Sequence, residues 1–345
     1  MMRRSEITVD LGALRRNIRR LREAAAPAEL WAVVKADAYG HGSFEVARVA
    51  LEEGAGALCV ATVQEGAALR EPFPEPRILV MGPLASGDEG LARTASLEIA
   101  LSSFDQAPQG LPLHLKVDTG MGRYGMAPAE VAVPAGAIVV GVMSHLATAD
   151  EPDETFARRQ LDAFSALRQR FPRELLFHLA NSAATLRFPE ASFGAVRCGV
   201  ALYGLSPFGD DPGRHELEPV LSWRSYLAQI KELEPGESTG YGRRFLAERP
   251  TRVGLVPVGY GDGFRRGLTG TEVVVAGNRR RVVGTISMDS FAVELGDEQE
   301  GDAVTILGDG VLAEEHARVL GTINYEVTCA IRREPERASV KYVDG

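Results

Sequence analysis

The chain has 345 residues, 45% of them hydrophobic and 25% charged, enough for two domains or for one barrel with an appendage. Its 38 Lys and Arg against 47 Asp and Glu leave a net charge of −9, which argues against nucleic acid as the main partner, because phosphate backbones are held by clustered cations. The best candidate for a membrane span, residues 137–143, is far too short, and no apolar segment follows the charged N-terminus to make a signal peptide, so a cytoplasmic protein that does not act at a membrane is expected.

Residues 10–26 place Leu11, Leu14, Ile18 and Leu21 on one helical face, with Asp10 as N-cap. Eight apolar runs then read as strands: 30–34, 57–63, 77–81, 97–102, 113–117, 137–143, 175–179 and 195–202. Between them lie helical patterns, among them 43–53 capped by Ser43, and 153–171 with Phe156, Leu161, Phe164 and Leu167. Strands mostly separated by helices predict an α/β fold, a (β/α)8 TIM-type barrel. A doubly wound sheet is the runner-up, but no Gly-rich dinucleotide fingerprint opens the first helix. Beyond the turn-rich stretch 208–213, long β-like runs dominate: 221–233, 251–260, 272–276, 281–287, 290–295 and 302–307. Gly277-Asn278 is a hairpin signal, and a late helix over 312–320 is stopped by Gly321. The expected division is a barrel over 1–216 and a mostly β C-terminal domain over 217–345.

Cys59, Cys198 and Cys329 are scattered in apolar strings and read as reduced thiols in a core. Six histidines show no ligand spacing, so no metal is expected. Only four lysines occur, Lys35, Lys116, Lys231 and Lys341, and two of these sit in or at the end of core-like runs. A lysine there is costly unless it is paired, deprotonated or covalently modified.

The C-terminal ends of the barrel strands, where such folds place their chemistry, carry Lys35, then Lys116 with Arg123, then Ser144-His145, then Asn181-Ser182, then Arg197 with Gly199. Ser182 alone reads first as a helix N-cap. Together with Asn181 and Gly199 after the seventh and eighth strands, it suggests a phosphate site. A lysine facing such a site suggests an aldehyde cofactor with a phosphate handle, of which pyridoxal phosphate is the common one. Tyr39, four residues past Lys35, can reach the same pocket. Arg197 alone could be a surface ion pair, but Val196, Cys198 and Val200 argue for an inside position. Tyr241 alone reads as a strand aromatic.

The segment Ala32-Val-Val-Lys-Ala-Asp-Ala-Tyr-Gly-His-Gly42 resembles the cofactor-lysine motif of the alanine racemases, fold-type III pyridoxal phosphate enzymes. Further matches follow in order: Lys116-Val-Asp-Thr-Gly-Met-Gly-Arg-Tyr-Gly125, Ser144-His-Leu-Ala-Thr-Ala-Asp150, His178-Leu-Ala-Asn-Ser182 and Val196-Arg-Cys-Gly-Val-Ala-Leu-Tyr-Gly204. In the β domain Tyr241-Gly242, Val258-Gly-Tyr-Gly-Asp-Gly263, Ser287-Met-Asp289 and Thr322-Ile-Asn-Tyr-Glu326 match as well. The resemblance spans nearly the whole chain.

It implies a homodimer with two shared active sites that interconverts L- and D-alanine and supplies D-alanine for peptidoglycan. Lys35 is implied to hold the cofactor and act as one base, with Tyr241 of the partner subunit as the other. His145 and Arg197 would assist that phenol, and Arg197 would face the cofactor's ring nitrogen. Tyr39, Asn181, Ser182, Gly199, Val200 and Tyr325 are implied at the cofactor. Arg123, Met288 and Asp289 are implied at the substrate carboxylate, Lys116 as a carbamate orienting Arg123, and Tyr260, Arg266 and Asp150 along an access corridor. Two departures stand out. Ser287 replaces a frequent cysteine, and Arg332-Arg-Glu-Pro-Glu-Arg337 is more polar than the family's segment, which puts the packing of the last strand in question. Competing readings are another racemase of this fold, a fold-type III decarboxylase (disfavoured by Arg197 and by length) and a non-catalytic single-barrel cofactor carrier (disfavoured by the β domain).

Overall fold

A computed structural model gives the structure of the protein and describes residues 4–345. Its first strand, β1 (Glu6–Asp10), leads directly into helix α1 (Leu11–Ala25), whose third amide donates to the Asp10 carboxylate at 3.0 Å, the expected cap. Eight parallel strands then close a barrel: β2 (Glu29–Val33), β3 (Ala57–Val60), β4 (Arg77–Val80), β5 (Glu98–Leu101), β6 (Pro112–Lys116), β7 (Ile138–Met143), β8 (Leu176–His178) and β9 (Ala195–Cys198). The (β/α)8 expectation holds. The strands are near-continuous apolar runs because a parallel barrel buries both faces of each strand.

The intervening segments are α2 (Lys35–Gly40) and α3 (Ser43–Glu52), then α4 (Val63–Arg70), α5 (Glu89–Thr94), α6 (Thr155–Leu167) and α7 (Ser182–Arg187). Some details differ from the sequence reading. Ser43 does not cap α3. The cap is Gly42, and the Ser43 amide donates to Asp37 Oδ1 at 2.7 Å. The run 195–202 stops as a strand at Cys198, and its second half is a 3-10 turn, Val200–Tyr203. The long helix expected to residue 171 ends at Leu167.

The chain divides into two compact units, one of Leu14–Leu202 with His215–Leu217, and a second of the residues up to Ala13 with Tyr203–Arg214 and Glu218–Gly345. The second contains β10 (Leu221–Tyr226), β11 (Gln229–Leu233), β12 (Ser238–Thr239), β13 (Phe245–Leu246), β14 (Thr251–Val256), β15 (Glu272–Val275), β16 (Asn278–Val283), β17 (Phe291–Glu294), β18 (Ala303–Leu307), α8 (Ala313–Leu320), α9 (Asn324–Cys329) and β19 (Ser339–Val343). Nine of its strands form one sheet in the order β11-β14-β17-β16-β15-β18-β10-β1-β19. The single run read over 221–233 is two strands, broken at Leu227-Ala228. The β15–β16 hairpin turns at Ala276-Gly277, one residue before the expected pair, with φ of 46° and 84°. Gly321 ends α8 in the left-handed region as expected. The departure at 332–337 leaves the last strand in place, since β19 pairs parallel with β1. Cys59 and Cys198 are buried free thiols, pushed by burial up to about 12, whereas Cys329 is exposed, contrary to the core reading.

Candidate active site

Lys35 follows the first barrel strand and opens α2, which is a left-handed turn. Ala36, Asp37, Ala38 and Tyr39 all have φ of 50–55°. Non-glycine residues enter this region at a cost of about 1–2 kcal/mol each, so the turn stores on the order of 4–8 kcal/mol. Neighbouring groups hold it. The Ala36 amide donates to Glu65 Oε1 at 2.8 Å, and the Ala38 amide to the Val34 carbonyl at 2.9 Å. His41, fully buried, lies 3.0 and 3.1 Å from the Ala38 and Tyr39 carbonyls through Nδ1, which therefore carries the ring proton. Glu65 is built for this task. Its second oxygen accepts from Ala61 and Thr62, and its own amide donates to Thr62 Oγ1, closing a capping box.

The turn delivers Tyr39, 8% exposed, to Gly199 at the end of the eighth strand. A Cβ placed on Gly199 would lie 2.6 Å from Tyr39 Oη, so only glycine admits the phenol there. The N-cap of α7 is Asn181, whose Oδ1 accepts from the Ala184 amide at 3.0 Å. Ser182 is thus released from capping, and its Oγ accepts from the Gly199 and Ala201 amides at 3.0 and 3.4 Å. Buried Val200 follows Gly199. Tyr39, Ser182, Gly199 and Val200 therefore form one corner of hydroxyls and backbone amides at the place where these barrels bind phosphate.

Arg197 is buried within the barrel. Its Nη1 reaches His178 Nδ1 at 2.8 Å and the His178 carbonyl at 2.9 Å, and its Nη2 reaches the Ser144 and Leu179 carbonyls at 2.6 and 3.1 Å and His145 Nδ1 at 3.4 Å. A guanidinium only donates, so His145 Nδ1 accepts and its Nε2 carries the proton. Burial holds His145 down at about 3, with Arg197, Arg123, Lys116 and Lys35 adding to the effect, so the ring is neutral. Lys116 is 6% exposed, donates to the Met81 carbonyl at 3.5 Å and lies 5.3 Å from the centre of the Tyr124 ring. Burial first, then Arg197, Arg123 and Lys35, lower it to about 8. Four cations thus share one end of the barrel, a field that suits anionic ligands. Arg123 is exposed on the loop after β6, which Asp118 organises by accepting from the Gly120 and Gly122 amides. Asp150 is exposed on the loop after β7.

The remaining expected residues belong to the second unit. Tyr241 is 71% exposed and Met288 is 50% exposed. One loop gathers them: Thr285 Oγ1 donates to the Tyr241 carbonyl at 2.8 Å, and the Tyr260 and Gly261 amides donate to the Ser287 and Met288 carbonyls at 3.0 and 2.8 Å. Asp289 pairs with Arg337 at 2.7 Å, and Arg337 and Arg4 both reach the buried Asp262. Arg337 thus gives the polar C-terminal segment a use beside Asp289. Arg266 is exposed in a 3-10 turn, and Tyr325 lies half-buried in α9. The sequence reading missed Glu65, Arg337, and the pair His114 and His178. The histidines' one signal was a polar ring inside an apolar barrel strand.

The alanine racemase N-terminal domain family matches residues 9–207, and the alanine racemase C-terminal domain family matches residues 220–339. An alanine racemase of Listeria innocua is 38% identical over 366 residues, covering 98% of this chain and 97% of that protein. The crystal structure of the biosynthetic alanine racemase of Pseudomonas aeruginosa superposes with a TM-score of 0.92 at 34% identity, over 99% of this chain and all of that one. That of Bartonella henselae alanine racemase, with covalently bound pyridoxal phosphate, gives 0.90 at 27% identity, over 98% and 99% of the two chains. The fold is that of a two-part barrel enzyme. The chain belongs to the alanine racemase family, whose members depend on pyridoxal phosphate.

Proposed function

We propose that this chain racemises alanine by two-base proton transfer in a homodimer with shared sites. The activity follows from family membership: the pyridoxal-phosphate-dependent interconversion of L- and D-alanine. The barrel residues fit that cofactor. Tyr39 and Ser182 hydroxyls with the Gly199 and Val200 backbone suit its phosphate, Arg197 suits its ring nitrogen as an obligate donor, and Lys35 is the amine for its aldehyde. The family resemblance assigns Tyr325 to the phosphate as well, and Asn181 contributes by capping α7 and freeing Ser182. Bound there, the cofactor supplies the electron sink that lets the Cα–H bond of alanine break heterolytically.

The chain's own groups then govern the proton. Lys35 Nζ takes or returns it on one face of Cα, and Tyr241 Oη of the partner subunit acts on the other. A phenol normally titrates near pH ~10, so it needs a donor beside its oxygen. The neutral His145 ring accepts from Arg197 at Nδ1 and so presents its Nε2–H as that donor. Arg123, together with the Met288 amide and Asp289 of the partner subunit, orients the substrate carboxylate, and Lys116, as a carbamate, orients Arg123. Tyr260, Arg266 and Asp150 line the access corridor. The role assigned is the supply of D-alanine for peptidoglycan in the cytoplasm. Among the described residues no helix is long and apolar enough to cross a membrane.

The observation that carries the shared-site reading is the 71% exposure of Tyr241 beside the half-exposed Met288. An aromatic and a thioether displayed together on one loop cluster suit contact with a second chain. Complementation tests it. Lys35→Ala and Tyr241→Phe should each be nearly inactive alone. Mixed dimers would contain one site with both bases intact, so randomly assorted chains should recover about a quarter of wild-type activity. No recovery from folded mixed dimers means that both bases come from one chain.

A further inference from the structure

The barrel interior holds a hydrogen-bonded line of polar side chains where apolar layers are usual. Arg197 Nη1 donates to His178 Nδ1 at 2.8 Å. His178 Nε2 lies 2.9 Å from His114 Nδ1, and His114 Nε2 lies 2.9 Å from Glu98 Oε2. Glu98 closes the line with Arg77 through bonds of 2.8 and 3.1 Å. Arg77 and Glu98 open β4 and β5, so the line crosses the barrel from the strand starts to the strand ends.

The proton order in this line has one solution with both rings neutral. Arg197 can only donate, so His178 accepts at Nδ1 and carries its proton on Nε2. That proton goes to His114 Nδ1, which leaves the His114 proton on Nε2 for Glu98. Both rings are fully buried, which holds them below the usual histidine range. Burial alone would raise Glu98, but the His114 and Arg77 bonds outweigh it and keep it an anion. The backbone makes room for this. The β6–β7 register shifts between Leu113 and His114 so that His114 faces Gly141, where a Cβ would lie 2.4 Å from His114 Nδ1. Trp31 packs against both rings at 5.7 and 4.7 Å, and the Arg77 guanidinium lies 4.9 Å from the Trp31 ring centre.

We propose that Glu98, acting through His114 and His178, is a positioning residue that orients Arg197 from the far side of the barrel. The consequence for catalysis rests on the reading that Arg197 faces the cofactor's ring nitrogen. A carboxylate at one end and a guanidinium at the other allow no second proton order, so Arg197 meets its ligand as a donor of fixed orientation.

The test uses Glu98→Ala, the milder Glu98→Gln, and Gly141→Ala, which displaces His114 while keeping the carboxylate. Nitrogen NMR of the imidazoles and of Arg197 Nε should show the Nε2–H tautomer at both His114 and His178 in the wild-type protein. Each variant should shift the signals of His178 and Arg197 as well as His114. In the loaded enzyme the cofactor absorbance should shift, and kcat should fall by roughly threefold to thirtyfold with KM for alanine unchanged, the size of coupling through such networks. Shifts confined to His114 would overturn the proposal. Arg197→Gln tests the underlying reading separately. If it moves the cofactor spectrum while Glu98→Gln and Gly141→Ala do not, the proposal fails and that reading stands. If it does not move the spectrum, the ring-nitrogen assignment fails, and NMR shifts reaching Arg197 still support the line itself.

Discussion

Replacing Lys116 with alanine, or stripping dissolved carbon dioxide from the wild-type protein, should weaken alanine binding by the same route. An ordinary lysine near 10.5 is neutral in only about one molecule in 3,000 at pH 7. Burial and three neighbouring cations bring Lys116 to about 8. Roughly one molecule in ten is then neutral at pH 7, a gain of about 300-fold in the form that can react. The neutral amine adds to carbon dioxide, forming an N–C bond and releasing one proton, and a buried cation beside Arg123 becomes an anion. Each unit of pH below about 8 removes a further tenfold of reactive amine, so the modification should be favoured as pH rises. A charge-assisted hydrogen bond to Arg123 contributes about 1.5–3 kcal/mol, so its loss should raise KM roughly tenfold to a hundredfold with a smaller change in kcat. The assay is steady-state kinetics in scrubbed and in bicarbonate-equilibrated buffer, beside carbon NMR with labelled bicarbonate. A carbamate resonance should appear in the wild type and be absent from Lys116→Ala. No such resonance at pH 8, together with a KM indifferent to carbon dioxide, would refute the reasoning.

Three other outcomes are expected. Gly199→Ala places a carbon 2.6 Å from Tyr39 Oη, so the phosphate corner must open, and cofactor affinity, followed by absorbance titration of the apoprotein, should drop while thermal stability holds. An unchanged affinity would remove Gly199 and Tyr39 from the cofactor site. Arg197→Glu should raise pyruvate formation relative to racemisation, because a carboxylate facing the ring nitrogen favours its protonation; an unaltered ratio counts against the ring-nitrogen role. Glu65→Ala leaves the Ala36, Ala61 and Thr62 amides without their acceptor, which should cost about 1–3 kcal/mol in urea unfolding and slow cofactor attachment at Lys35. A variant as stable as the wild type would mean that the left-handed turn holds itself.

The sequence by itself determined the barrel, the β-rich second half and which polar residues stand at the strand ends. Apolar runs of strand length separated by helical periods leave little choice of architecture, and a lysine, an arginine and a serine at strand ends are visible because strand ends are visible. Tertiary structure decided how those positions are held. No local propensity announces four consecutive left-handed residues after Lys35, since each is individually unfavourable and the turn is held by tertiary partners such as Glu65, which accepts the amide of Ala36 from 29 residues further on. Ser182 looked like a cap because Ser caps helices, and only the fold shows that Asn181 takes that duty and frees the hydroxyl for Gly199. The line from Arg197 to Glu98 was equally hidden, because His114 and His178 are 64 residues apart and meet only when the barrel closes. Periodicity reports which face of an element is apolar. It carries no information on which buried polar groups will find one another, because that depends on strand register and a bulge, both set by closure of the sheet rather than by any segment alone.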